Sequence, residues 1–235
     1  IQAARELGFQ RRILASNGLL LSKRAKELEG ITDLSVSLDG LQTANDAIRG
    51  VKGGYRRTLA GIQKCKKKHP GLKLEIATTL LGRNLGDVEG LIQLCADVQA
   101  TWFVNLFDTN PYFFQGIEPH DLQADDPGAI QEALQVIKRE HKQRPECFTF
   151  NRKAVSAVES FLLEGTYPRH CILGYTNVDI DPKGGVYSGC WAMKPMGNIR
   201  EQSLEAILSN PAYTSRARRM LDRHCPQCTC GWMVN

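Results

Sequence analysis

The 235 residues are 42% hydrophobic and 23% charged, which is enough apolar material for a sizeable core and excludes a disordered chain. Thirty basic against 25 acidic residues leave a formal charge of +5, and the denser basic stretches, KCKKKHP and SRARRM, read as solvated helix faces rather than a nucleic-acid patch. No run approaches the roughly 18 consecutive apolar residues of a membrane span, so a soluble, cytoplasmic protein without a membrane partner is expected.

In chain order, IQAARELGF opens as though inside an amphipathic helix, with Ile1, Ala4, Leu7 and Phe9 near helical spacing. It has neither an initiator Met nor a charged leader, so a chain cut at its front is expected. RRILAS reads as a strand, LSKRAKELEG as a helix closed by Gly30, DLSVSL as a strand, and YRRTLAGIQKCKKKH as a helix stopped by Pro70. LKLEIATTL, GDVEGLIQLCADVQ and TWFVNLF continue as strand, helix and strand. Four such alternations predict a parallel α/β sheet, whose binding groups lie in loops after the strands' carboxyl ends. SNG, SLDG, GRN and DTNP then share one rim.

Residues 108–126 read as a long boundary loop, followed by helices over Pro127 to Lys142 and Lys153 to Leu163. YTNVDIDPKGGVYSGCW alternates like a hairpin about its Pro-Gly turn, and the helical EQSLEAILSN and AYTSRARRMLDR lead into a cysteine-rich end. The expected domains are 1–126 for the sheet, 127–167 for a helical connection and 168–235 for a small appended module.

The chain has eight cysteines, too long a sequence for a disulfide scaffold and no visible export signal, so reduced thiols and metal binding are favoured. Cys65 and Cys95 fall within predicted helices and read as small buried residues, and Cys147 has no assigned role. Cys171, Cys190, Cys225, Cys228 and Cys230 fall within 60 residues. Cys225 and Cys228 have the C-x2-C spacing that lets one tight turn offer two thiolates, and Cys190, after a glycine-rich hairpin, supplies a second segment. Zinc and an iron–sulfur cluster both accept four thiolates, so spacing leaves both open. His170 and His224, each next to a cysteine, read as surface or supporting groups.

The order Cys171, thirteen residues, Gly185, four residues, Cys190, then GNI at Gly197 and Cys225-x2-Cys228 resembles the SPASM/twitch auxiliary-cluster domain of radical S-adenosylmethionine (radical SAM) enzymes. SNGLLL, VSLDGLQTANDAIRG and GGYRRTLAGI resemble the third and fourth βα units of the radical SAM core. The resemblance implies an α/β fold, the last four βα units of a (β/α)6 barrel, with a small Cys-rich SPASM/twitch module behind it. It implies an enzyme that reductively cleaves S-adenosylmethionine to a 5′-deoxyadenosyl radical and modifies a peptide or small-molecule substrate. A flavodoxin or ferredoxin would donate electrons.

In that family a C-x3-C-x2-C segment holds the catalytic four-iron four-sulfur cluster. None occurs in these residues, so that cluster is expected on an upstream segment and this chain alone is expected to be inactive. The resemblance assigns Ser37 to a ribose or carboxylate contact, and Arg49, twelve residues on, to the methionine carboxylate. Asn17 serves turn geometry first and the cofactor second, while Asp39 and Gly40 shape their turn. Asp108, after the last barrel strand, is a candidate general base. Tyr112, Phe113 and Phe114 are candidate pocket walls. Cys171, Cys190, Cys225 and Cys228 are the implied ligands of one auxiliary four-iron four-sulfur cluster, with Cys230 as an alternative ligand. The competing reading is a non-catalytic α/β scaffold whose cysteines hold structural zinc and serve protein binding.

Overall fold

In the computed structural model, which describes residues 1–107, 122–165 and 170–225, the alternating segments of the first half form one parallel sheet. Helix α1 (Gln2–Glu6) precedes β1 (Ile13–Ser16), and α2 (Leu21–Arg24) leads to β2 (Asp33–Ser37). Helices α3 (Gln42–Arg49) and α4 (Gly54–Lys68) lead to β3 (Lys73–Leu80), and α5 (Val88–Asp97) to β4 (Thr101–Leu106). The strands lie in the order β1-β2-β3-β4, every neighbour parallel, with Ser37 beside Ala77 and Leu80 beside Leu106. This is the α/β arrangement the alternation predicts.

Burial alternates along the strands. Leu34, Val36, Ile76, Trp102 and Val104 are wholly buried, each burial stabilising by about 1.5–3 kcal/mol for an aliphatic side chain, while Ser35, Ser37, Glu75 and Ala77 between them stay half-buried. One face of the sheet is therefore dry and the other open. Trp102 can be buried because its Nε1–H donates to Thr78 Oγ1 at 2.9 Å, and that hydroxyl donates to Leu38 O at 2.7 Å. Phe148 and Phe150 pack on its ring at 5.9 and 6.5 Å between centroids.

Helix α4 ends as expected before Pro70, whose ring disfavours helical geometry at His69. Its Lys66 reaches the end of α5, where Nζ donates to Val98 O at 2.6 Å and covers a carbonyl left without a helical partner. Helix α6 (Pro127–Gln143) starts on Asp126, whose carboxylate accepts the N–H groups of Gly128 and Ala129, and α7 (Arg152–Glu164) follows.

Three local expectations are revised. LSKRAKELEG is not one helix: α2 passes into a 3₁₀ turn at Ala25–Leu28, although Leu21, Ala25 and Leu28 still bury one face. Helix α1 forms, but it buries none of its residues, and Ile1, Leu7 and Phe9 are exposed. Between β2 and α4 the chain inserts α3, whose closing Gly50 is left-handed. Asp46 of α3 accepts the N–H of Gly53 at 2.6 Å and of Tyr55 at 2.8 Å, tying α3 to the start of α4.

The described residues divide into two compact units, 1–107 with 122–155 and 156–165 with 170–225, and the change-over lies inside α7. Helix α6 thus belongs to the first unit. In the second, α8 (Leu173–Thr176) precedes β5 (Asp179–Ile180), β6 (Gly185–Tyr187) and β7 (Gly197–Asn198), an antiparallel sheet in that order. The β5–β6 turn is held by Asp181, whose Oδ1 accepts the N–H of Lys183 at 2.7 Å and of Gly185 at 2.9 Å. Helix α9 (Leu204–Leu208) is capped by Ser203, and α10 (Pro211–Leu221) buries Tyr213, Ala217 and Met220 at helical spacing. No helix among the described residues is long and apolar enough to cross a membrane.

Candidate functional site

The carboxyl ends of the strands form a rim built mainly by short polar side chains. After β1, the N–H of Leu19 donates to Asn17 Oδ1 at 3.2 Å and that of Gly18 to Ser16 Oγ at 3.1 Å. Gly18 is left-handed, and a Cβ there would lie 2.4 Å from Thr58 Cγ2, so only glycine fits. Asn17 is exposed and works as a turn residue. Ser37 ends β2 half-buried, and among the described residues its hydroxyl has no hydrogen-bond partner.

The SLDG turn does more than bend the chain. Asp39 is buried, at 5% exposure, and its carboxylate has two partners. Oδ1 accepts the Thr79 N–H at 2.8 Å, and Oδ2 lies 2.6 Å from Nη2 of Arg49. The Asp39 backbone N–H donates to Asn45 Oδ1 at 3.0 Å, and its carbonyl accepts from Asn84 Nδ2 at 2.9 Å. Asn84 also donates to Thr79 O and accepts from the Leu81 N–H, each at 2.8 Å. Gly40 permits close packing, since a Cβ there would meet Asp87 Oδ2 at 2.9 Å, the oxygen that accepts the Leu41 N–H. Each buried polar group in this set has a partner, which rigidifies the rim.

Of the rim candidates, Ser37 and Arg49 thus sit at the same strand end, and Asn17 at the neighbouring one. Asp108 lies outside the described residues, as do Tyr112, Phe113 and Phe114. The roles of Asn45, Thr79 and Asn84 are not visible in sequence, although the GRN segment after β3 marks the right loop. A cavity of about 750 Å3 lies elsewhere, at the strands' amino ends beside Asp33, Lys73 and Thr101. There Arg11 pairs with Asp33 at 2.8 Å and Ser35 donates to Glu75 at 2.6 Å. It lies at the opposite end of the strands from the loops that carry binding groups in parallel α/β sheets, so the rim is the better candidate.

In the second unit Cys171, Cys190 and Cys225 pack on one apolar cluster with Leu173 and Met220. They come from three segments: the residue pair before α8, the loop after β6 and the stretch that follows α10. Cys190 is buried and the other two are half-buried. Arg216 of α10 donates to Lys194 O, and burial lowers its pKa against the opposing pull of the Cys190 thiol. His170 Nδ1 bonds Leu221 O at 2.8 Å, in keeping with a supporting role. Cys228 and Cys230 lie outside the described residues, and among those described no three His, Cys, Asp or Glu side chains are close enough to hold a metal. The chemistry of the donors, three soft thiols from separate segments packed on one apolar cluster, suits a thiolate-bound group, although the three do not converge on one metal position as they stand.

Cys65, Cys95 and Cys147 are buried in the first unit, and burial pushes each thiol's pKa up, away from the reactive thiolate.

Comparison with known proteins bears on both sites. Residues 171–230 match the family described as SPASM, an iron–sulfur cluster-binding domain, a stretch that begins at Cys171 and ends at Cys230. The Fe-coproporphyrin III synthase of Methanosarcina barkeri (strain Fusaro / DSM 804) is 34% identical over 39% of this chain and 23% of its own length. The AdoMet-dependent heme synthase of the same organism is 27% identical over 84% of this chain and 60% of its own. Among solved structures, native anSMEcpe with bound AdoMet and Cp18Cys peptide has a TM-score of 0.61 at 14% identity, covering 99% of this chain and 68% of that one. That likeness speaks for the fold. The chain spans less than two thirds of the length of both curated relatives.

Proposed function

We propose that this chain, whose SPASM match follows the α/β sheet in sequence, supplies the cofactor-binding rim and the auxiliary-cluster module of a radical SAM enzyme. The observation that carries this reading is the coincidence of the SPASM match with three thiols from separate segments on one apolar cluster. When bound, an iron–sulfur cluster and S-adenosylmethionine together supply one-electron cleavage of the sulfonium and hydrogen-atom abstraction from substrate.

In this reading the chain's own groups bind and orient. Arg49 offers a planar fork to the methionine carboxylate, and the Ser37 hydroxyl, without a hydrogen-bond partner among the described residues, offers a donor to the same group or to a ribose. Asn17 contributes turn geometry at the adjoining strand end. Cys171, Cys190, Cys225 and Cys228 hold the auxiliary four-iron four-sulfur cluster, with Cys230 as the alternative fourth ligand. Asp108 stands as the candidate proton acceptor. Flavodoxin or ferredoxin is the class of electron donor, and the cytoplasm is the compartment in which such thiols stay reduced.

The substrate is a small molecule or a peptide, and each class has support. The relative that covers 84% of this chain is named a heme synthase, which favours a heme precursor. The peptide in the anSMEcpe structure supports the second reading. Quenching of tryptophan fluorescence by Fe-coproporphyrin III, set against a cysteine-containing peptide, separates them.

Iron and acid-labile sulfide content test the module. The anaerobically prepared chain should hold about four of each, and a Cys190→Ala/Cys228→Ala variant should hold none. Zinc without iron would instead favour the protein-binding scaffold.

A further inference from the structure

We propose that Asp39 is a positioning residue that aims the Arg49 guanidinium at a ligand carboxylate, an inference that rests on the reading of the rim as a cofactor site. Arg49 lies at the end of α3, and its flexible side chain is 34% exposed. Left alone, such a side chain samples many rotamers and must lose that freedom when it grips an anion. Its partner is different in kind. The Asp39 side chain is 7% exposed, and the residue is held at its carboxylate by Thr79, at its backbone N–H by Asn45 and at its carbonyl by Asn84. The carboxylate is a fixed post, and the 2.6 Å contact transfers that fixity to one corner of the guanidinium.

The asymmetry distinguishes this pair from ordinary surface pairs. Arg24 and Glu27 also approach to 2.6 Å, but both side chains are more than half exposed, so neither orients the other. A guanidinium has five N–H donors, and a single Nη2 contact to Asp39 leaves others to meet a carboxylate edge-on. Asp39 also carries a negative charge that opposes an incoming anion. Orientation and repulsion therefore predict opposite signs for its removal, and orientation outweighs repulsion here.

The test is calorimetric binding to the anaerobically purified chain of two ligands. S-adenosylhomocysteine keeps the amino-acid carboxylate, and 5′-methylthioadenosine lacks it. The wild-type chain should prefer the first. Asp39→Asn, which keeps the side-chain shape and an acceptor for Thr79, should weaken S-adenosylhomocysteine about five- to tenfold and 5′-methylthioadenosine less than about twofold. In an Arg49→Gln background Asp39→Asn should have no further effect, because the two act as one unit. Unchanged or tighter binding in Asp39→Asn, or an equal loss in the Arg49→Gln background, overturns the positioning role and leaves the rim reading intact. A wild-type chain with no preference between the ligands overturns the rim reading itself, and the proposal with it. Should Asp39→Asn fail to fold, proton exchange at the Arg49 guanidinium of the wild-type chain decides: exchange slower than at Arg24 supports the fixed pair, and equal exchange overturns it.

Discussion

The buried polar side chains at the ends of β2 and β3 show how single residues set the rim. Asn84 alone makes three hydrogen bonds, two donated and one accepted, at a position 1% exposed. Asn84→Ala strands the Leu81 N–H and two carbonyls, so a loss of about 2–3 kcal/mol is expected, seen as a lower urea midpoint at unchanged slope. Titration follows the same logic. Burial would raise the Asp33 carboxyl, but hydrogen bonds from Arg11 and Thr32 outweigh it, and Arg144 holds Glu140 low in the same way. Backbone N–H groups of Tyr55 and Gly53 depress Asp46. A carboxyl with a depressed folded pKa contributes its full stability above the ordinary value of about 4 and loses it as pH falls through the folded pKa. The thermal midpoint should be flat from about pH 7 to 5 and fall below about pH 4, and Asp33→Asn should flatten that acid limb while lowering the midpoint at neutral pH.

At the scale of elements, close backbone approach decides how strands and helices join. The turn after β1 lets α4 come near enough that Gly18 has no room for a Cβ beside Thr58, and its φ of +80 disfavours any other residue. Gly18→Ala is expected to destabilise the chain by about 2 kcal/mol or more, measured by chemical unfolding, whereas Gly50→Ala meets open space and costs only the left-handed backbone term. Lys66 shows why a lysine-rich stretch is not read by charge alone. One lysine of KCKKK is spent inside the fold on the end of α5, so the run is less of an exposed patch than its composition suggests. Helix α2 carries the complementary lesson, since its apolar spacing survives the change from α to 3₁₀ geometry.

At the scale of the molecule, the chain joins a four-stranded parallel sheet to a cysteine-bearing antiparallel module through α7. The 235 residues contain no C-x3-C-x2-C segment. Under strong reductant with S-adenosylmethionine, the chain by itself should therefore release no 5′-deoxyadenosine by chromatography, and measurable release would show that iron is held by another set of ligands.

Sequence by itself determined the order of the four parallel strands, the helices between them apart from α3, and the grouping of five cysteines within 60 residues, because these depend on local spacing: a period of two in strands, helix spacing and stops, and cysteines close along the chain. Only the tertiary structure decided what Asp39 and Arg49 do. The Asp39 post is fixed by Thr79 and Asn84, 40 and 45 residues away on β3 and the loop after it, together with the nearby Asn45, and no local pattern carries a contact across forty residues. The same holds for Cys171, Cys190 and Cys225, whose packing on one apolar cluster with Leu173 and Met220 follows from the contact of α8 with α10 rather than from any spacing between them.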